Sequence, residues 1–151
     1  MKSLFALLTA VSFSTLAFAQ TSDAVQWSFS AVKTGEGVYE LHLTAMLGDE
    51  WHTYSQDTPA GGPVPTEITF TPSPLFSFQG PVKEVGKLNR HFEPLFGVQV
   101  LQYSNKVDFV QKILVKHPVK TAVAGKIHFM TCNDHECLPP VTKEFSIALP
   151  Q

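Results

Sequence analysis

Val38-Tyr39-Glu40-Leu41-His42-Leu43-Thr44-Ala45-Met46-Leu47 decides the fold. Tyr39, Leu41, Leu43, Ala45 and Leu47 fall on one face, with Glu40, His42 and Thr44 between them. Strict period-2 patterning over this length is the mark of a half-buried strand, because successive side chains in a strand point to opposite faces. Gln26 to Ala31 alternates in the same way, with Trp27, Phe29 and Ala31 apolar. Thr34-Gly35-Glu36-Gly37 separates the two runs as a turn, so together they read as a hairpin.

Downstream the same signal recurs. Glu67 to Thr71 reads as a short strand, and Phe76 to Gly80 as another, punctuated by Pro72, Pro74 and Pro81. Val98 to Tyr103 and Lys106 to Val115 read as strands, the second with Val107, Phe109, Ile113 and Val115 on one face. Ala122 to Met130 places Ile127 and Phe129 inward and Lys126, His128 and Met130 outward. Carried forward, that parity puts Cys132 off the core face. Lys143 to Leu149 closes the series with Phe145, Ile147 and Leu149 inward. Between these runs, Gly48 to Pro65 is a long polar connection whose glycines and prolines preclude a continuous ladder. Asn89 to Gly97 reads as a loop rich in bulky apolar groups, which either fill one end of the core or cap something. No amphipathic helix follows residue 20. Roughly eight short strands at near-regular spacing predict an all-β fold, an immunoglobulin-like antiparallel β-sandwich.

Residues 1–19 read as a secretory signal peptide: Lys2, an apolar run from Leu4 to Phe13, then Ala17-Phe18-Ala19. The apolar run is shorter than the roughly 20 residues needed to span a bilayer. The expected mature chain is therefore residues 20–151, a single domain. Its hydrophobic content, 44% over the whole sequence, is ordinary for a folded protein. Without Lys2, ten basic residues stand against thirteen acidic ones. A formal charge of −3 gives no reason to expect nucleic acid or an anionic membrane as partner. No later segment is long and apolar enough for insertion in a membrane as a helix. Export places the cysteines where disulfides persist.

Both cysteines lie in Phe129-Met130-Thr131-Cys132-Asn133-Asp134-His135-Glu136-Cys137-Leu138-Pro139-Pro140. Three chemistries fit the residue types. A structural staple is one, although so small a ring removes little chain entropy. A zinc or copper(I) site built from His128, Cys132, His135 and Cys137 is another, although zinc sites usually come as two matched pairs. Reversible thiol–disulfide exchange is the third, since exposed disulfides at strand ends are the labile ones. Leu138-Pro139-Pro140 imposes an extended exit that holds the second sulfur in place.

The run Cys132 to Pro140, leading into an alternating last strand, resembles the amino-terminal domain of the DsbD-type thiol–disulfide interchange proteins. Trp51-His52-Thr53-Tyr54-Ser55, Gly61-Gly62-Pro63-Val64-Pro65-Thr66 and Glu93-Pro94-Leu95-Phe96-Gly97 match in order. The resemblance implies a periplasmic immunoglobulin-like module that passes reducing equivalents to thioredoxin-fold proteins. It implies that Cys132 and Cys137 are the redox pair, with Cys137 forming the mixed disulfides, and that no cofactor is needed. Phe92 to Gly97 matches the loop that caps the disulfide, with Leu95 or Phe96 as the covering residue. Tyr54 matches an aromatic position lining the site, and Glu93 an acidic one. Two departures stand out. Four residues separate these cysteines, one fewer than in the best-known members. The long forms also continue into a multi-helix membrane domain and a thioredoxin-like domain, so here a separate membrane electron carrier is expected to supply the electrons.

Overall fold

A computed structural model describes residues 24–94, 96–117 and 120–151. The signal-peptide reading of residues 1–19 and the side chain of Leu95 lie outside the described residues. The described residues contain nine strands and no helix: β1 (Val25–Gly35), β2 (Val38–Leu47), β3 (His52–Tyr54), β4 (Glu67–Phe70), β5 (Phe76–Glu93), β6 (Val98–Val115), β7 (Ala122–Phe129), β8 (Thr131–Cys132) and β9 (Val141–Ala148). Every pairing between them is antiparallel. The larger sheet holds β1, β2, β3, β5, β6 and β8, and the smaller one holds β4, β7 and β9. This is the immunoglobulin-like sandwich that the alternating runs predict.

The main core lies between the two sheets. Tyr39, Leu41, Leu43 and Ala45 of β2 meet Val107, Phe109, Ile113 and Val115 of β6, with Val123, Phe145, Ile147 and Leu149 contributed from the smaller sheet side. Trp27 lies tilted against both Phe109 and Phe129, at ring centroid distances of 5.9 and 5.2 Å. On the outer face of the larger sheet, His42 Nδ1 lies 2.7 Å from Asp108 Oδ2, and Thr44 Oγ1 donates to Asp108 Oδ1 at 3.0 Å.

The β5–β6 hairpin departs most from the sequence reading. β5 runs for 18 residues, through Asn89 to Glu93, which leaves Pro94, Phe96 and Gly97 as the described turn residues. The prolines and the missing alternation conceal this strand because β5 pairs on one side only, with β6. An edge strand is exposed along most of its length and so carries no period-2 signal. Its free side also tolerates Pro81, which sits inside a register shift between Gln79 and Lys83. β6 is likewise one strand of 18 residues rather than two. Asn105 divides it: its φ of 65° puts it in the left-handed region, opposite a second register shift between Gly86 and Leu88. Such a bulge bends the hairpin. On one side of it, Lys106 to Leu114 pairs with β2; on the other, Gln102 to Ser104 pairs with β3. The bend thus carries the far end of the hairpin away from the main core, toward a second and smaller cluster.

Candidate functional site

The second cluster consists of Tyr54, Val100 and Cys132, with Val98, Met130 and Cys137 packed against it. Three short elements build it. β7 ends at Phe129 in the smaller sheet, Met130 is a single linking residue, and Thr131–Cys132 then pairs with β3 in the larger sheet. This change of sheet breaks the parity expected from β7. Cys132 is not on an outward face: it is 2% exposed and enclosed beside Tyr54. Thr53 Oγ1 donates to the Met130 carbonyl at 2.9 Å and fixes the crossover.

Cys132 and Cys137 form a disulfide, their Cα atoms 4.0 Å apart and bridged as an antiparallel pair. The intervening turn is self-supporting. Asn133 N–H donates to the Glu136 carbonyl at 2.9 Å, and Asn133 Oδ1 accepts from the backbone N–H of His135 and of Glu136 at 2.9 and 2.8 Å. Asparagine is suited to this position because its short side chain can replace backbone partners in a turn. Leu138 N–H donates to the Thr131 carbonyl at 2.9 Å, which anchors the exit before Pro139-Pro140. Only Cys137 of the pair is half-exposed. The two cysteines therefore differ in exposure, where the sequence reading had both lying open at a strand end.

Tyr54 is 1% exposed. It is both a core residue and a lining residue, because the cluster it fills is the one that holds the disulfide. The loop after it keeps it in place. Thr66 Oγ1 donates to the Tyr54 carbonyl, Ser55 N–H donates to the Leu101 carbonyl at 2.9 Å, and Thr58 Oγ1 donates to the same carbonyl at 2.7 Å. Gly62 passes so close to Val98 that a Cβ there would lie 2.8 Å from a Val98 methyl. The Gly61-to-Thr66 motif thus serves a backbone approach beside the cluster.

Glu84 is a residue that sequence reasoning missed. Its carboxylate accepts from Ser55 Oγ (2.7 Å), Gln56 N–H (2.7 Å), Gln56 Nε2 (3.3 Å) and Tyr103 Oη (2.7 Å). Burial and this carboxylate push the Tyr103 phenol well above its ordinary range. The clamp ties the chain just after β3 to the long hairpin. A lone acid on an exposed strand gave no local sign of it.

His52 was also passed over. It lies opposite Cys132 across the β3–β8 pairing, it is 8% exposed, and its Nε2 lies 3.1 Å from the Tyr54 hydroxyl. Burial lowers its proton affinity below that of an ordinary histidine. Asp134 and Glu93 oppose that shift, and His91 adds to it. Burial, reinforced by Glu93, raises the Tyr54 phenol well above its usual range.

Glu93 is half-buried at the end of β5, and its carbonyl accepts from Phe96 and Gly97 N–H at 3.2 and 2.8 Å. Gly97, at φ 69°, closes the turn. Phe92 and Phe96 are 52% and 39% exposed, so neither fills the sandwich end. The described packing against the disulfide cluster from this turn comes from Val98. His128 is set apart on β7, its Nδ1 2.9 Å from Thr142 Oγ1, while His135 is exposed in the cysteine turn. Among the described residues, no three His, Cys, Asp or Glu side chains are grouped to hold a metal ion.

Residues 17–149 match the family model described as thiol:disulfide interchange protein DsbD, N-terminal. The chain belongs to the DsbD N-terminal domain family. Its fold is similar to that of the Neisseria meningitidis DsbD N-terminal domain in the reduced form, at 17% identity and a TM-score of 0.56, over 83% of this chain and 85% of that one. It is also similar to the N-terminal periplasmic domain of ScsB from Proteus mirabilis (19%, TM-score 0.51), covering 89% of this chain and 49% of that one. A third similar structure comes from the complex between the DsbD and PilB N-terminal domains of Neisseria meningitidis (13%, TM-score 0.50), over 87% of this chain and 88% of that one. At these identities the likeness is one of fold. No curated protein matches the sequence. Among the described residues, no helix is long and apolar enough to cross a membrane.

Proposed function

We propose that this member of the DsbD N-terminal family is an exported thiol–disulfide exchange module that works in the periplasm. Its mature domain is residues 20–151, released from a leader at 1–19. It passes reducing equivalents between protein partners through Cys132 and Cys137, which carry the two electrons without a cofactor. Thioredoxin-fold proteins receive them, and a separate membrane electron carrier supplies them. The observation that carries this reading is the unequal exposure of the two cysteines: Cys132 is buried, whereas Cys137 is half-exposed on an anchored exit. An incoming thiolate attacks Cys137 Sγ, the Cys132–Cys137 bond breaks, and Cys132 leaves with the electron pair. The donor's second thiolate then attacks the mixed disulfide and leaves both cysteines reduced; toward an acceptor, the Cys137 thiolate attacks the acceptor's disulfide, and Cys132 closes the ring and releases the reduced acceptor. Tyr54 lines the pair, while Phe92 and Glu93 at the end of β5, with Leu95 and Phe96 after them, are the residues assigned to cover it and to meet the partner.

The test is trapping. Cys132→Ser leaves Cys137 free to form a mixed disulfide that cannot resolve, so an adduct with a thioredoxin-fold partner accumulates. Cys137→Ser traps little. Equal trapping by both variants removes the assignment of roles, and no trapping by either removes the exchange reading. Burial of Cys132 also suits a non-catalytic binding module with a structural disulfide. Redox titration separates the two readings, because structural disulfides typically lie below about −300 mV.

A further inference from the structure

Exchange through a buried sulfur raises a proton problem. When the disulfide opens, Cys132 is left holding an electron pair in a site that is 2% exposed, and burial away from water disfavours a thiolate. When the ring closes again, the Cys132 thiol must lose its proton before it can attack. Bulk water has little access to either event. A proton carrier at the buried sulfur would solve both.

Directly opposed residues of an antiparallel pair place their side chains on the same face, with Cβ atoms about 4.5–5.5 Å apart. His52 and Cys132 are such a pair. Tyr54, two residues along β3, shares that face and packs against Cys132. The His52 and Tyr54 rings meet edge-on with centroids 5.5 Å apart, and Nε2 lies 3.1 Å from the hydroxyl. The imidazole is therefore oriented by a buried partner rather than left to rotate in solvent. The titratable and charged groups around it are Tyr54 on β3, Cys132 on β8, Asp134 in the cysteine turn, and His91 and Glu93 on β5.

We propose that His52, held by Tyr54, is the general acid and base for the buried sulfur of Cys132. The proposal rests on the exchange reading above. In ring closure, the Cys132 thiol gives its proton to His52 and Sγ attacks the sulfur of Cys137 in the mixed disulfide. The Cys132–Cys137 bond forms as the bond to the partner breaks. The partner sulfur departs with the electron pair and takes a proton from solvent. In ring opening the same proton returns from His52 to Cys132. Burial holds His52 below the ordinary histidine value of 6.5, so at neutral pH it is in the proton-accepting form that closure needs. Asp134 and Glu93 stabilise the imidazolium formed on transfer.

The experiment uses the reduced chain with glutathione disulfide as probe, and acid quenching separates adduct formation at Cys137 from closure. In the unaltered chain, closure rises through a midpoint below pH 6.5 and then levels. His52→Gln is expected to slow closure at neutral pH about tenfold or more, since general acid–base catalysis typically contributes ~10²–10⁴. The deficit shrinks at alkaline pH, above the ordinary thiol range near about 8.5, where hydroxide takes the proton of the buried thiol without the imidazole. Closure with the same pH profile in both proteins overturns the proposal while leaving exchange intact. So does a slowing equal at every pH, which would make His52 a packing residue. If the variant fails to fold, the unaltered chain decides: a closure rate without an inflection below pH 6.5 overturns the assignment. Failure of any adduct to form at Cys137 removes the exchange reading itself, and this proposal with it.

Discussion

The two buried clusters of this domain are built in opposite ways. The larger one, around Leu41, Leu43, Phe109, Ile113 and Ile147, is apolar and comes from strands long enough to alternate many times. The smaller one comes from a three-residue strand, a two-residue strand and the bent end of a hairpin. Buried polar side chains follow the same division. Among the described residues, His52, Thr53, Ser55, Thr58, Thr66, Gln102 and Thr131 all belong to the smaller end, and Gln111 lies apart on β6. An apolar core is stabilised by area removed from water and tolerates small shifts. A polar cluster depends on directed hydrogen bonds and therefore fixes positions. Stability is concentrated at one end of the sandwich, and the geometry of the disulfide at the other.

The hardest test of that division is a truncation in the larger core. Phe109→Ala is expected to cost about 3–5 kcal/mol of folding stability, as for other buried aromatics. Reduction of the disulfide, measured on the fraction still folded, should keep its wild-type rate. A changed rate would mean that the two clusters are coupled through β6.

Opening the disulfide is the complementary perturbation. Cys132 and Cys137 are five apart in sequence, and so short a ring removes about 2 kcal/mol worth of unfolded-chain entropy. Denaturant unfolding of the reduced protein should remain a single cooperative transition, displaced by about that amount. Loss of cooperativity on adding reductant would make the smaller cluster a requirement for the fold.

The smallest effect on stability is expected at the hairpin tip. Phe92 and Phe96 lie outside both buried clusters, so replacing both with Ala should change folding by within about 0.5 kcal/mol. If the tip covers the sulfurs, the same double variant is reduced faster by a small thiol, because access limits exchange. Unchanged reduction would confine these rings to partner contact.

Legibility follows the same line. β2 was readable to the residue and β9 to within two, because one side of each faces a continuous apolar core and the other faces solvent. β5 was not, because a strand paired on one side and mostly exposed imposes no alternation on its sequence. The family motifs drew attention to Cys132, Cys137, Tyr54 and the turn before Gly97. They gave no sign of Glu84, whose partners Ser55, Gln56 and Tyr103 come from distant parts of the chain.

By itself the sequence determined an all-β sandwich and the cysteine pair, since both are carried by local pattern: period-2 alternation and a short motif. It did not determine which sulfur is shielded. That depends on one residue, Met130, where the chain leaves the smaller sheet and joins the larger one. Parity within a strand cannot be carried across such a change of sheet, because the two sheets define inward from opposite sides. Only the tertiary structure therefore decided that Cys132 is enclosed with His52 and Tyr54 while Cys137 stays within reach of solvent.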